Sequence, residues 1–282
     1  MIEFKNSENL NKWSKAQREK HLKIGFVPTM GALHEGHISL IEAAKTENDL
    51  VICSIFVNPT QFNEQEDFDK YPITIEKDKD LLFQAGCHVV FIPDVANIYP
   101  SSTAFDLEID LGNIANVLEG AHRPGHFEGV MQVVKRLLEI VEPNVLYLGK
   151  KDYQQYLILK KMVSFYQFDI EVKQCPIVRE PDGLAMSSRN LRLKPVERNA
   201  AVQLSKALFA IQSDQFSSSP KALSEKFTAN LNANPLIDVE YLEIVSAESL
   251  GKIDDWKDSE SAVACIAAKV GSIRLIDNVT IY

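Results

Sequence analysis

Between residues 23 and 174, short apolar runs rich in β-branched residues alternate with stretches of helical spacing, and no other feature of the sequence restricts the fold as tightly. The runs are "KIGFVP" (23–28), "DLVICSIFVN" (49–58), "HVVFIP" (88–93), "NVLYLG" (144–149) and "DIEVKQ" (169–174). The clearest helical pattern is 128–142, where Val130, Val133, Val134, Leu137, Leu138 and Val141 recur on one face. Strands that are apolar almost throughout belong in a parallel sheet buried on both faces, with helices as the crossovers. The reading is an α/β fold: a Rossmann-like parallel-sheet N-terminal domain over residues 1–176.

Beyond residue 176 the order changes. Helical segments at about 195–212 and 220–233 come first, with Pro195 suited to a first helical position and Ala201, Leu204, Leu208 and Ile211 as an apolar stripe. Strand-like runs follow at 237–246, 262–270 and 273–281. Helices followed by strands predict a smaller α+β C-terminal domain, 177–282, hinged near Pro176.

Composition narrows the function classes. Of 282 residues, 45% are hydrophobic, enough for a large core, and the net charge of −9 offers no basic field to nucleic acid or an anionic membrane. No apolar run approaches membrane-spanning length, and the polar N-terminus lacks a signal core, so a cytoplasmic protein is expected. Cys53, Cys87, Cys175 and Cys265 are scattered without a C-x-x-C pair, which reads as buried free thiols.

In an open parallel sheet, ligands gather beyond the carboxyl ends of the strands, and the unusual polar residues fall there. After the first strand comes "TMGALHEGHISLI": Gly31 relaxes the turn, Gly36 permits close backbone approach, and a helix N-terminus follows whose free N–H groups attract phosphate. His34 and His37, three residues apart, share a face and reach one phosphate group. A structural role for the pair is the plainer alternative. Zinc is disfavoured because H-E-G-H lacks the four-residue spacing of H-E-x-x-H.

After the second strand, "FVNPTQF" presents Asn58, Thr60 and Gln61, an amide able to read hydroxyls or a carboxylate. After the fourth, "GKKDYQQY" sets Lys150 and Lys151 before a helix, where their charge opposes the dipole unless an anion sits there; Asp152 suits a cap. At the junction, "REPDGLAMSSRN" offers two hydroxyls and Arg189 to phosphate oxygens, or forms a surface turn.

The ordered set "FVPTMGALHEGH", "SIFVNPTQF", "EGAHRPGHFEGV", "GKKDYQQ" and "REPDGLAMSSRN" resembles the pantoate–β-alanine ligase family over nearly the whole chain. The histidine motif alone indicates only the wider nucleotidyl-transferase superfamily, and another carboxylate-adenylating enzyme of that superfamily is the alternative. The resemblance implies ATP-dependent condensation of (R)-pantoate with β-alanine through an enzyme-bound pantoyl adenylate, with Mg²⁺ on the phosphates, in a homodimer whose C-terminal domain covers the nucleotide. It also implies roles by position. Met30, Gly31, Ala32, Leu33, His34, Glu35, Gly36 and His37 match the ATP-binding segment, with His37 as proton donor and His34 and Lys151 assisting. Gly149, Lys150, Lys151, Asp152, Val178, Met186, Ser187, Ser188 and Arg189 match nucleotide contacts. Gln61 matches the residue shared by pantoate and β-alanine, Gln155 a second pantoate ligand, Asp78 an acidic position near the metal, and Arg123 a basic loop position. Lys150 departs from the family's pattern, which carries an acid in many members.

Overall fold

The computed structural model describes residues 1–100 and 107–282. Six strands form one parallel sheet: β1 (Ile2–Phe4), β2 (Ile24–Thr29), β3 (Leu50–Ile55), β4 (Val89–Phe91), β5 (Val145–Gly149) and β6 (Glu171–Cys175). Their order is β1-β4-β3-β2-β5-β6, so the chain winds outward in opposite directions from β2. The switch point lies between β2 and β5, which places the crevice for ligands beside the loops that follow these two strands. In β3 the segment Val51 to Ile55 is buried, as a doubly covered parallel strand requires.

The helices, in chain order, are α1 (Ser7–Arg18), α2 (Glu35–Glu47), α3 (Gln65–Asp69), α4 (Ile75–Gln84), α5 (Val95–Ile98), α6 (Glu119–His122), α7 (His126–Val141), α8 (Tyr153–Phe165), α9 (Pro195–Ser213) and α10 (Pro220–Asn232). Helix α2 packs on β2, β3 and β5, and α7 packs on α1 and β2. The stripe Val130, Val133, Val134, Leu137, Leu138 and Val141 is buried throughout. Helix α7 starts at His126, two residues before the expected start, with Gly125 in the left-handed region at φ +79° turning the chain into it. The short edge strand β1 was not expected from the sequence.

The second sheet is antiparallel, in the order β7 (Ile237–Ser246), β8 (Ala262–Val270) and β9 (Ile273–Thr280). The α9 stripe, Ala201, Leu204, Leu208 and Ile211, shares one core with Ala262, Ala264, Ile266 and Ala268 of β8. Small alanines on the central strand let the helices approach it closely.

The chain divides into two compact units. The first comprises Met1–Asp110, Pro124–Lys150 and Gln155–Pro176; the second comprises Leu111–Arg123, Lys151–Gln154 and Ile177–Tyr282. One boundary falls between Pro176 and Ile177. Two short segments, expected in the N-terminal domain, cluster instead with the second unit. All four cysteines are free and buried. Among the described residues, no helix is long and apolar enough to cross a membrane.

Candidate active site

At the carboxyl end of the central strand β2, the chain turns through Gly31 (φ +83°) and Ala32 (φ +49°) and enters α2 with His34 as its N-cap. The two histidines cap the helix reciprocally. His34 Nδ1 accepts from the Gly36 amide at 3.1 Å, and His37 Nδ1 accepts from the His34 amide at 3.3 Å. Their rings lie 4.1 Å apart, centroid to centroid. An imidazole whose Nδ1 accepts from the backbone carries its hydrogen on Nε2 when neutral. Both rings are thereby held in the tautomer that presents Nε2 as a donor.

This arrangement modifies one expectation. The helix amides that the sequence reading offered to phosphate are in part already engaged: Gly36 donates to the His34 ring and His37 donates to the His34 carbonyl at 2.7 Å. Met30, His34, Gly36 and His37 are half-buried and Glu35 is exposed.

Asp78, expected near a metal, stands elsewhere in the design. It is fully buried in α4; Oδ2 accepts from the Ala32 amide at 2.9 Å, and Oδ1 accepts from the Leu33 amide at 2.8 Å and the Thr74 hydroxyl at 3.0 Å. Three of the roughly four acceptor sites of this carboxylate are thus taken by protein donors, one on Oδ2 and two on Oδ1. Among the described residues no group of three or more His, Cys, Asp or Glu could hold a metal ion.

The loop after β3 supplies the amide. Asn58 is buried and organises a 3-10 turn, Pro59–Gln61. Its Nδ2 donates to Gln61 Oε1 at 3.2 Å and to the Gly129 carbonyl at 3.1 Å, while its Oδ1 accepts from Tyr99 Oη at 2.9 Å and Thr60 Oγ1 at 3.2 Å. Gln61 Nε2 in turn reaches the Met30 sulfur at 3.0 Å, so the histidine loop and the amide meet. Helix α7 supports the turn from beneath. His126 Nδ1 lies 2.8 Å from the Gln61 carbonyl, which only accepts, so Nδ1 carries the hydrogen. At Gly129 a Cβ would collide with the Thr60 carbonyl. His126, Gly129 and Tyr99 were not singled out from the sequence; the quoted "RPGHFEGV" was the signal for the first two, whereas nothing local marks Tyr99.

The loop after β5 is a 3-10 turn, Lys150–Asp152, leading into α8. A Cβ on Gly149 would meet open space, so packing does not demand glycine there. In the second unit, the Lys151 carbonyl accepts from Asn278 Nδ2 at 2.8 Å, the Tyr153 hydroxyl donates to the Ala247 carbonyl at 2.8 Å, and Lys151 Nζ pairs with Asp152 at 3.2 Å. Beside this turn, Arg179 makes a two-pronged pair with buried Asp277 at 2.6 and 3.0 Å. Burial pushes the Asp277 carboxyl up, against the pull of Arg179 and the charge of Lys151. Gln155, in the first unit, is half-buried on α8.

Val178 and Met186 are joined by a backbone hydrogen bond of 3.0 Å that closes an arm. Ser187 caps the 3-10 turn that follows, accepting from the Arg189 amide at 3.3 Å, and Ser188 is buried. Asn190 ties the arm to Glu180 and the Ala185 carbonyl, each at 3.0 Å. Arg123 closes α6, 3.6 Å from Glu119. Glu119 itself is buried against Arg274 at 2.7 and 2.8 Å and accepts from the Tyr241 hydroxyl at 2.8 Å. Burial alone would raise its pKa, but the Arg274 guanidinium and the Tyr241 hydroxyl pull it down to about 2. The expected site residues thus form two sets. Met30 to His37, Asn58, Gln61, Asp78, Gly149, Lys150 and Gln155 belong to the first unit; Arg123, Lys151, Asp152, Val178 and Met186 to Arg189 belong to the second.

The profile of the Pantoate-beta-alanine ligase family matches residues 3–280. The pantothenate synthetase of Porphyromonas gingivalis is 46% identical over 277 residues, covering 98% of each chain. Among solved structures, pantothenate synthetase from Thermus thermophilus superposes with a TM-score of 0.92 at 39% identity, covering both chains completely. The pantoate-beta-alanine ligase from Francisella tularensis, solved with beta-gamma ATP and β-alanine, gives 0.83 at 38% identity, covering 99% of this chain and 97% of that one. With a family profile matched over residues 3–280 and relatives 38–46% identical over almost the whole length, this chain belongs to the pantoate–β-alanine ligase family.

Proposed function

We propose that this chain condenses (R)-pantoate with β-alanine at the expense of ATP, releasing pantothenate, AMP and diphosphate by way of pantoyl adenylate. The observation that carries the reading is the pair of reciprocally capped histidines at the end of the central strand, bridged through Met30 to the Gln61 amide. In the first step a pantoate carboxylate oxygen attacks the α-phosphorus, and the bond from that phosphorus to the diphosphate oxygen breaks. Negative charge builds on the phosphoryl oxygens and the leaving group, so fixed donors and cations are what the step requires. His37 and His34 donate from Nε2, Lys151 and Arg189 supply charge, and Ser187 and Ser188 donate from their hydroxyls. Met30 to Leu33, Gly149, Lys150, Asp152, Val178 and Met186 contact the nucleotide.

In the second step the neutral amine of β-alanine attacks the acyl carbon, AMP departs with the bonding pair, and the nitrogen sheds its proton to solvent. Gln61 orients pantoate and then β-alanine, and Gln155 holds pantoate. The anhydride needs shelter from water. Magnesium belongs to the substrate as its ATP complex. No carboxylate of this chain is assigned to it, and no step is routed through it.

A homodimer in the cytoplasm is part of the same reading, supported by the family. The discriminating experiment supplies ATP with pantoate, β-alanine, or analogous hydroxy acids and amines, and identifies products by mass. AMP, diphosphate and pantothenate in equal amounts, formed only with both natural substrates, are expected. Equal turnover of another acid would favour a different carboxylate-adenylating enzyme.

A further inference from the structure

We infer that Asp78 is a built-in anion that locks the turn Gly31–Leu33 and thereby sets where His34 and His37 stand: a positioning residue for the histidine motif. Three donors converge on its carboxylate, two of them consecutive backbone amides, Ala32 and Leu33, and the third the Thr74 hydroxyl. Consecutive amides turned toward one point are a common anion cradle, usually occupied by a phosphate. Here the occupant is the chain's own carboxylate, brought by α4 from 45 and 46 residues away.

The turn needs such a lock. Ala32 lies in the left-handed region at φ +49°, which a side chain with a Cβ rarely adopts, and Gly31 precedes it at +83°. A Cβ on Gly31 would crowd Ile55 Cγ2 at 3.0 Å and Asp78 Oδ2 at 3.1 Å, so glycine suits this position in space as well as in φ. His34 follows Leu33 directly and caps α2, so any slack in these amides moves both rings. The Ala32 and Leu33 amides are spent on Asp78 and are not offered to a phosphate. The link to turnover rests on reading this loop as the nucleotide site; the lock itself does not.

The test combines hydrogen–deuterium exchange of the ligand-free full chain with binding and metal titrations. In Asp78→Asn, one amide faces a donor in place of an acceptor. Exchange at Ala32 and Leu33 is expected to rise about 10- to 100-fold while β2 and β3 keep their protection. The dissociation constant for ATP, read by calorimetry, is expected to rise about tenfold, with half-saturating Mg²⁺ unchanged. Thr74→Val removes one donor and leaves the charge; it should produce a smaller rise at the same two amides, and it serves if Asp78→Asn does not fold. Unchanged exchange with a tenfold greater Mg²⁺ requirement would make Asp78 a metal ligand and overturn the inference. A uniform loss of protection across the first unit in either variant would overturn it in favour of a plain structural carboxylate. Because exchange is read without substrate, a failure of the proposed reaction leaves this result standing on its own.

Discussion

At the scale of single residues, the account rests on where hydrogens sit. Both Nδ1 atoms of His34 and His37 accept from backbone amides, so each ring offers Nε2 as a donor. His37→Ala is expected to slow pantoyl adenylate formation by roughly two orders of magnitude or more, the span of lost acid–base or electrostatic help. Pantoate-dependent exchange of diphosphate into ATP measures this step, and a rate near that of the unaltered protein would remove His37 from the chemistry. Gln61→Ala should weaken pantoate and β-alanine binding while ATP binding persists; calorimetry showing a defect in ATP alone would reverse that assignment. That the histidines and Gln61 follow the carboxyl ends of β2 and β3 was legible in the sequence, because unusual polar types stood at the ends of apolar runs. The bonds from Asp78 to the Ala32 and Leu33 amides were not, because those partners lie 45 and 46 residues earlier and no local pattern joins them.

At the scale of elements, the first turn of α7 is the support for the Gln61 turn. His126 holds the Gln61 carbonyl, and Gly129 leaves room for the Thr60–Gln61 backbone while accepting from Asn58. Gly129→Ala should cost about 1–3 kcal/mol of stability, the usual range for overpacking. More tellingly, it should raise the KM for pantoate severalfold and leave the KM for ATP nearly unchanged. Steady-state kinetics that moved both constants together would contradict the assignment of this helix to the pantoate side. Periodicity located α7 and its buried stripe. It could not find the N-terminal turn that matters most, because Gly125 in the left-handed region adds His126 and Phe127 ahead of the apolar pattern. Strand β1 went unread for a simpler reason: three residues, paired among the described residues to β4 alone, carry too little pattern.

At the scale of the whole molecule, the fold classes follow from the sequence but the grouping of segments does not. Leu111–Arg123 and Lys151–Gln154 join the second unit through contacts such as Arg274 with Glu119, 155 residues apart, which no local pattern encodes. That pair also sets an acid limit. Glu119 titrates at about 2 in the folded chain, below its ordinary value of 4.5, so its contribution is present above pH 4.5 and is lost as pH falls toward 2. The acid-induced loss of stability in that window should be shallower in Glu119→Gln, which itself should be destabilised by about 1–3 kcal/mol, because Arg274 then keeps Glu240 as its carboxylate partner at 2.8 Å and loses the two-pronged contact with Glu119. Parallel pH–melting curves for the two proteins would refute this. The central claim concerns the reaction that the histidine loop and the Gln61 turn support, and isotope transfer tests it most directly. With pantoate carrying ¹⁸O in both carboxylate oxygens, attack on the α-phosphorus requires that one label leave in AMP and the other remain in the amide of pantothenate. Mass spectrometry should find a single ¹⁸O in AMP for each pantothenate formed. Unlabelled AMP, or label in the diphosphate, would contradict the account.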